Sequence, residues 1–441
     1  MLLSGRDTEI VKASPTWKPQ TLNAMRRLER VLSRNVITAG RWVKESGYIY
    51  RFRQARVIFL SAEPGANVVG ATASPLLECD EAQAVLPAKW DKDFAPMGAS
   101  TQATRVFWGT AWTGRTLLAR ELRAARQLEG SDGQRRVFHL SAGEVAGEVP
   151  AYGAFVAEQV ARMGRDHPLV KTQYFSEEID AQSGMLPERR LALMRGDHLP
   201  DKEPRPGAVY CLLVDVAGED EGARMSLEGT AGLHNPRRDS TAATLVEVDL
   251  STLADPLVQA PTYRVHARFA WTGTKHSQLY PALCALARRW DCRRIVIDAS
   301  GVGEGLASFL DKAFPGRVLP FRFSAKSKSE LGWKFLAIVE TGRYAEPKVP
   351  PEPKGEAGIS QEFWREAAHC QAQAGDGPGH PLRWGVPDGT RDALTGEPVH
   401  DDLLLSAALC ANLDGLDWSS TGAPLVVPAA DPLEAMDGEG F

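Results

Sequence analysis

The stretch that most constrains the fold is AVYCLLVDV at 208–216, an almost continuous apolar run. A run of this length predicts a strand buried on both faces, as in α/β sheets. RRIVIDA at 293–299 predicts a second buried strand. Between them, AATLVEVDL (242–250) and TYRVHARFAW (262–271) alternate apolar and polar residues, which is typical of half-buried strands. With the helical patterns that separate the later strands, the second half predicts the order β-β-β-α-β-α-β-α.

A proline-rich break separates this half from the first. DHLPDKEPRPGA, at 197–208, holds three prolines, a glycine and mixed charges. Before it, apolar runs predict strands at 56–63, 76–82, 105–112 and 137–144, and a helical stripe predicts a helix over 18–35. The chain is therefore predicted to be α/β throughout, with a first domain over 1–196, a linker over 197–207, a second domain over 208–420 and a flexible tail over 421–441.

Composition excludes several classes of protein. The formal net charge of −5 gives no global signal for nucleic acid, so such contact needs a local basic surface. The six cysteines include no C-x-x-C pair, so neither a zinc ribbon nor a disulfide framework is indicated, and a reducing compartment fits best. No apolar run approaches the ~18 residues that a membrane span needs.

Acidic residues close the two buried strands and open the last helix. Asp215 and Asp298 end the strands, while Asp401 and Asp402 begin HDDLLLSAALCANL at 400–413. Alone, a strand-end aspartate is often held by backbone N–H groups, and a carboxylate at a helix start is commonly a cap. Together, acids on the first strand, a later strand and a C-terminal helix follow the ribonuclease H plan. That arrangement predicts two Mg²⁺ or Mn²⁺ ions and a phosphodiester substrate.

The first half carries a different acidic pattern, LLECDEAQ at 76–83. A buried strand followed by Asp80 and Glu81 is typical of the part of an ATP site that holds Mg²⁺ and the attacking water. Such a site also needs a phosphate loop, G-x-x-x-x-G-K-[ST], and the dipeptide Gly-Lys occurs nowhere in the chain. GTAWTGRT at 109–116 is one residue from that pattern but follows the acids. GVGEG at 301–305 predicts a tight glycine turn beside the metal site, not a dinucleotide-binding loop.

In this order, the motifs resemble the large subunit of bacteriophage-type terminases. The resemblance covers nearly the whole chain, through LLECDEAQ, FWGTAWTG, VDVAGEDEG, RRDSTAATLVEVDL, IVIDASGVGEGL and HDDLLLSAAL. It implies Mg²⁺ coordination by Asp80, general-base work by Glu81 and a nucleotide-sensing coupling motif centred on Gly109 and Thr110.

In the second half, the resemblance implies metal-binding roles for Asp215, Asp298 and one helix acid. Asp402 is the favoured third ligand and Asp401 the second choice. Asp239, at the start of the second strand, is expected to reach the site only as an outer group.

The resemblance also implies the whole activity. The fold would be a P-loop ATPase-like domain, incomplete at its N-terminus, followed by an RNase H-like nuclease domain. The protein would cut concatemeric viral DNA with two Mg²⁺ or Mn²⁺ ions and, in intact form, use ATP and Mg²⁺ to drive DNA into a procapsid. Its partners would be double-stranded DNA, a small subunit and the portal, without a membrane, in the host cytoplasm.

The family's phosphate loop is expected a few tens of residues before IVKASPT, and Met1 falls inside that interval. The sequence therefore predicts poor ATP turnover or none by this chain, and DNA cutting by its nuclease half. Two alternatives stay open. One is an RNase H-type nuclease or resolvase unrelated to packaging, against which the ATPase-like motifs argue. The other is an inactive prophage remnant.

Overall fold

The structure is a computed structural model that describes residues 7–68, 70–179, 182–217, 240–256, 258–348, 356–375, 381–392 and 396–418. The strands are β1 (Thr8–Ser14), β2 (Trp42–Glu45), β3 (Ile49–Phe52), β4 (Ala55–Ser61), β5 (Pro75–Cys79), β6 (Thr104–Phe107), β7 (Gln182–Gly184), β8 (Tyr210–Asp215), β9 (Ser240–Asp249), β10 (Thr262–Thr272), β11 (Arg294–Asp298), β12 (Val318–Phe321), β13 (Tyr344–Ala345), β14 (Gln371–Gln373) and β15 (Arg383–Gly385). The helices are α1 (Leu22–Arg34), α2 (Pro87–Lys89), α3 (Leu117–Asp132), α4 (Ala142–Glu148), α5 (Pro150–Met163), α6 (Pro168–Gln173), α7 (Glu188–Leu193), α8 (His276–Arg289), α9 (Gly303–Ala313), α10 (Ala325–Glu340), α11 (Glu356–His369) and α12 (Asp402–Ala408).

The chain divides into two compact units, and neither is a single stretch of sequence. The first unit comprises Met1–Arg195, Ser324–Arg343 and Phe363–Asp401. The second comprises Gly196–Phe323, Tyr344–Glu362 and Asp402–Phe441. The functional assignment of the predicted domains 1–196 and 208–420 stays a prediction, and the predicted tail over 421–441 lies outside the described residues.

The first unit is built on a six-stranded sheet in the order β2-β3-β4-β1-β5-β6. The pairs β4–β1, β1–β5 and β5–β6 are parallel, and the β2–β3 hairpin adds antiparallel strands at one edge. This parallel-rich arrangement confirms the predicted α/β class. Strands β4, β5 and β6 lie where the sequence predicts them. The sequence analysis missed β1, which lies in the middle of this sheet.

The strand predicted over 137–144 is wrong, because the chain begins helix α4 there. The side chain of Ser141 accepts a hydrogen bond from the Glu144 backbone N–H, and the Glu144 carboxylate accepts one from the Ser141 N–H at 2.7 Å. This reciprocal pair satisfies two N–H groups at the helix start. The apolar residues before it, Phe138 and Leu140, are 71% and 72% exposed.

The second unit is built on a sheet in the order β12-β11-β8-β9-β10-β13. Strands β12, β11 and β8 are parallel, and β9 is antiparallel to both β8 and β10. One face packs on α8 and α9. Its buried core includes Leu212, Val214, Ala243, Leu245, Ile295 and Ile297 from the sheet and Leu279, Leu283, Leu306 and Leu310 from the helices. The predicted order of strands and helices in this half is the order the structure has.

A third, three-stranded sheet has the order β15-β14-β7 and belongs to the first unit. Within the described part of the chain, every helix is too short or too polar to cross a bilayer.

His167 gives the first unit a predictable dependence on pH. Its ring is 1% exposed, its Nδ1 accepts the Leu169 N–H at 3.2 Å, and its Nε2 donates to the Trp333 carbonyl at 3.0 Å. Burial lowers the pKa of His167 to about 4. Above pH 6.5 the ring is neutral whether the chain is folded or unfolded, so stability is complete there. As pH falls towards 4 the unfolded chain takes up the proton first, and stability is lost.

We expect this histidine to remove roughly 2.5 kcal/mol of unfolding free energy between pH 7.5 and 4.5. Urea unfolding at the two pH values, followed by tryptophan fluorescence, measures the loss. His167→Gln should show a correspondingly smaller decline, whereas His139→Gln, at an exposed histidine, should decline like the wild type. Equal declines in all three proteins would show that His167 does not carry the effect.

Candidate functional site

Two of the predicted acids end neighbouring strands of the second unit. Strands β8 and β11 are parallel, and their register runs as far as Val214 beside Ile297. The next residues, Asp215 and Asp298, therefore lie side by side on strands about 4.8 Å apart. Side chains alternate along a strand, and Val214 and Ile297 face α8 and α9. Both carboxylates consequently point to the opposite face of the sheet.

Helix α12 covers that opposite face. Ala243 and Leu245 face α8 and α9, so Thr244 between them faces the other side of the sheet. Its hydroxyl shares a buried 2.7 Å hydrogen bond with Ser406 of α12. Asp402, the first residue of α12, accepts a 2.7 Å hydrogen bond from the backbone N–H of Ser240. Ser240 is the first residue of β9, two residues before Ala242, which pairs with Asp215 across the sheet. The fold therefore brings Asp215, Asp298 and Asp402 to one edge and one face of the sheet.

The burial of the strand acids suits a bound cation. Asp215 is 8% exposed and Asp298 is 7% exposed. Burial raises the pKa of Asp298, and the 2.8 Å hydrogen bond from the Ser300 backbone N–H opposes that rise. Ionised carboxylates are costly to bury unless a positive charge offsets the cost. Carboxylate oxygens are also the ligands that hard divalent ions prefer, so these residues fit Mg²⁺ or Mn²⁺.

The other predicted residues near this site have different surroundings. The Asp401 carboxylate lies 3.7 Å from the Lys328 ammonium and packs against Gly385, where an added Cβ would collide with it. Asp239 lies outside the described residues. Of the glycine turn predicted at 301–305, only Gly301 has a positive φ, of 50°, because α9 begins at Gly303, where an added Cβ would run into the Asp298 carbonyl oxygen.

Sequence reasoning missed another group of possible metal ligands in the second unit. Asp201, Glu247 and His266 each offer a donor atom within 4.8 Å of the other two. The register between β9 and β10 shifts between Val265 and Ala267, which makes His266 the extra residue of a β-bulge. Bulges redirect a side chain, and this one is hydrogen-bonded to the Glu247 carboxylate at 3.1 Å.

This second group is satisfied by the protein itself. The Arg205 guanidinium donates to Asp201 at 2.8 Å and to Glu247 at 2.6 Å. Tyr210 donates to Asp201 at 2.8 Å, and the Asp201 backbone N–H donates to His266 Nδ1 at 2.8 Å. The group is therefore an ion-pair network that holds the segment predicted as a linker, 197–207, against β9 and β10.

The first unit places Asp80 directly after β5, beside Lys12 on β1. The Lys12 ammonium lies 2.6 Å from the Glu78 carboxylate and 3.2 Å from that of Asp80. Burial alone would lower the pKa of Lys12, but the hydrogen bonds and charges of the two acids together raise it. Asp80 thus ends its strand next to a protein cation, with which a metal ion would compete.

Glu81 and Thr110, predicted from two separate motifs, are bridged by a residue that the prediction missed. The buried Gln83 side chain donates to Glu81 at 2.6 Å and to the Thr110 hydroxyl at 3.2 Å, and it accepts the Thr110 N–H at 3.3 Å. Glu81 itself has a left-handed backbone, φ 50° and ψ 47°. Such backbone strain in a residue other than glycine is often found at functional positions.

Comparison with known families identifies part of this architecture. Residues 257–372 match the family described as the terminase RNaseH-like domain. This segment is therefore similar to the RNase H-like domain of terminases. The match confirms, in this part of the chain, the resemblance to terminase large subunits that the order of motifs predicts, and the matched segment contains Asp298. No curated protein shows significant sequence similarity to the chain.

Solved structures of phage terminases are similar to the chain at low identity. A large terminase from one thermophilic bacteriophage has a TM-score of 0.46 and 10% identity, over 92% of this chain and 86% of that one. The magnesium-bound large terminase nuclease of another thermophilic phage, G20c, has a TM-score of 0.35 and 17% identity, over 52% and 96%. The HK97 bacteriophage large terminase has a TM-score of 0.33 and 12% identity, over 92% and 84%. The similarity to terminases that we use below is the domain match over residues 257–372, not these structures.

The bridge formed by Gln83 predicts a strict need for glycine at position 109. An added Cβ on Gly109 would collide with the Gln83 side-chain oxygen. We expect Gly109→Ala to lower the free energy of unfolding by about 1–3 kcal/mol, because the crowded amide must move. Urea unfolding measures the change. Gly65→Ala, where an added Cβ meets no atom within 4 Å, is the matched control, and equal stability of the two variants would contradict the proposed crowding.

Proposed function

We propose that the protein is a metal-dependent endonuclease of the terminase large-subunit type, which cuts double-stranded viral DNA. The observation that carries this proposal is the convergence of Asp215, Asp298 and Asp402 at one edge of the sheet, in a chain with a terminase RNase H-like domain. Three carboxylates on a rigid sheet and helix are the ligand set of nucleases that use two metal ions.

In this proposal Asp215, Asp298 and Asp402 hold Mg²⁺ or Mn²⁺. Ions held there would supply Lewis acidity for an attacking water molecule and for the leaving 3′ oxygen of a phosphodiester. The protein's own contribution is orientation. The Ser300 and Ser240 backbone N–H groups each fix one carboxylate oxygen of Asp298 and Asp402, at 2.8 Å and 2.7 Å.

The packaging role is a further step of the same proposal. In that role the protein would also use ATP to translocate DNA. It would bind a small subunit and a portal, and it would act in the host cytoplasm. The linked residues Glu81, Gln83 and Thr110 support an ATPase-like role for the first unit, since they couple the acidic motif to the segment after β6. The alternatives, a resolvase unrelated to packaging and an inactive remnant, separate experimentally: the remnant does not cut DNA, and a resolvase prefers branched DNA.

The full chain should nick or cut supercoiled plasmid DNA when Mg²⁺ or Mn²⁺ is added, with little sequence preference. Asp215→Asn and Asp298→Asn should each abolish cutting without unfolding the protein, because each removes a metal ligand while keeping the side-chain shape. Agarose gels of the plasmid measure the rate, and circular dichroism checks the fold.

Asp249→Asn is the matched control, because Asp249 ends β9 at the opposite edge of the same sheet and pairs with Arg264 at 2.7 Å. This variant should cut DNA at the wild-type rate. Activity that survives both site substitutions, or that persists in EDTA, is incompatible with the proposed site.

The two adjacent helix acids should behave differently. Asp402→Ala should abolish cleavage and also the rise in melting temperature on adding Mn²⁺, because this residue faces the two strand acids. Asp401→Ala should leave cleavage measurable and cost no more than about 1 kcal/mol, since it loses a partly exposed ion pair with Lys328. The paired measurements are the cleavage rate and the melting temperature with and without Mn²⁺. The reverse pattern would assign the metal to Asp401.

A further inference from the structure

The buried side of helix α12 is apolar except at one position. Its buried residues are Leu403, Leu404, Ser406, Ala407 and Ala408. Apolar packing alone gives a stable contact more readily than a unique one. A shift of one residue along a helix turns the side chain that occupies a given place by about 100°. A polar contact can select one rotation of α12, because it is satisfied in only one.

The Ser406 hydroxyl makes such a contact with the Thr244 hydroxyl of β9. The two oxygens lie 2.7 Å apart, and both residues are 0% exposed. Ser406 donates its one proton to the Leu403 carbonyl at 2.9 Å, so Thr244 is the donor to Ser406. A rotated or shifted α12 would leave these buried hydroxyls without partners, which costs free energy.

The hydroxyl pair lies one helical turn from the acid that α12 carries. Residues four apart share a helix face, so Asp402 and Ser406 point to the same side. The Asp402 carboxylate also accepts the Ser240 N–H at 2.7 Å. A bound cation would draw on the lone pairs of that carboxylate. The Thr244–Ser406 hydrogen bond uses no metal ligand, so it holds α12 in the same way with and without an ion.

We propose that Thr244 and Ser406 are positioning residues, whose hydrogen bond fixes the rotation of α12 at which Asp402 faces Asp215 and Asp298. The pair acts on the metal ions only through Asp402. This inference rests on the proposed function, because it takes Asp402 as a metal ligand.

Thr244→Val removes the donor and keeps the branched side-chain shape. The melting temperature of the full chain is measured over a range of Mn²⁺ concentrations, together with the rate of plasmid cutting. The Mn²⁺ concentration that gives half of the rise in melting temperature should increase at least fivefold, and cutting at a fixed Mn²⁺ concentration should slow. A bond that only stabilises the fold would lower the melting temperature equally with and without Mn²⁺.

Two further variants are the controls. Thr244→Ser keeps the hydroxyl and should keep the wild-type dependence on Mn²⁺. Thr262→Val removes a hydroxyl that donates to Thr252 at 3.3 Å, on the strand end that pairs with Asp249, and should keep it too.

The wild-type dependence on Mn²⁺ in Thr244→Val would overturn the proposal. If this variant does not fold, the double variant Thr244→Val/Ser406→Ala, which leaves neither hydroxyl without its partner, is measured in the same way. Loss of folding in both would also overturn it, because the bond would then be needed for the fold itself.

Asp215→Asn separates this proposal from the nuclease assignment. A wild-type response to Mn²⁺ that Asp215→Asn abolishes and Thr244→Val leaves intact would overturn the positioning role and support the metal site. A wild-type chain without any response to Mn²⁺ would overturn both.

Discussion

The parallel register between β8 and β11 is the constraint on which the second unit depends. It sets Asp298 beside Asp215 where both strands end. Two carboxylates in adjacent positions repel each other, and burial raises the pKa of Asp298. The same register gives the other face an unbroken apolar surface for α8 and α9. The pairing of β8 with β11 thus sets both the apolar face that packs on α8 and α9 and the position of the two aspartates on the other face.

The sequence predicts most of this unit because its signals are local. An apolar run that ends in aspartate predicts both the strand and the acid, and the pattern of α12 predicts the third acid. The sequence predicts the strands and contacts of the first unit less completely. The missed strand β1, TEIVKAS, mixes polar and apolar residues, and its place in the sheet depends on pairing with β4 and β5. Gln83 was missed for a similar reason, because its partner Thr110 lies 27 residues away.

The two carboxylate groups of the second unit show why the number of acids does not define a metal site. Asp201 and Glu247 lie within reach of His266, yet Arg205 supplies the positive charge and Tyr210 a further donor. At the other edge of the sheet, a backbone N–H group donates to each of Asp298 and Asp402. A backbone N–H orients a carboxylate without cancelling its charge. The acids of the proposed metal site are thus each oriented by a backbone N–H group, whereas Asp201 and Glu247 are paired with Arg205.

The same distinction applies to the acidic motif of the first unit. Lys12 places an ammonium 3.2 Å from Asp80, and it shares that ammonium with Glu78 at 2.6 Å, so a protein cation already lies beside both carboxylates. Glu81, by contrast, is held by the neutral amide of Gln83, which fixes its position and leaves its charge. Because that amide also contacts Thr110, a displacement of Glu81 must move the segment after β6. The two motifs are thus joined physically by one buried glutamine, for which the glycine at position 109 makes room.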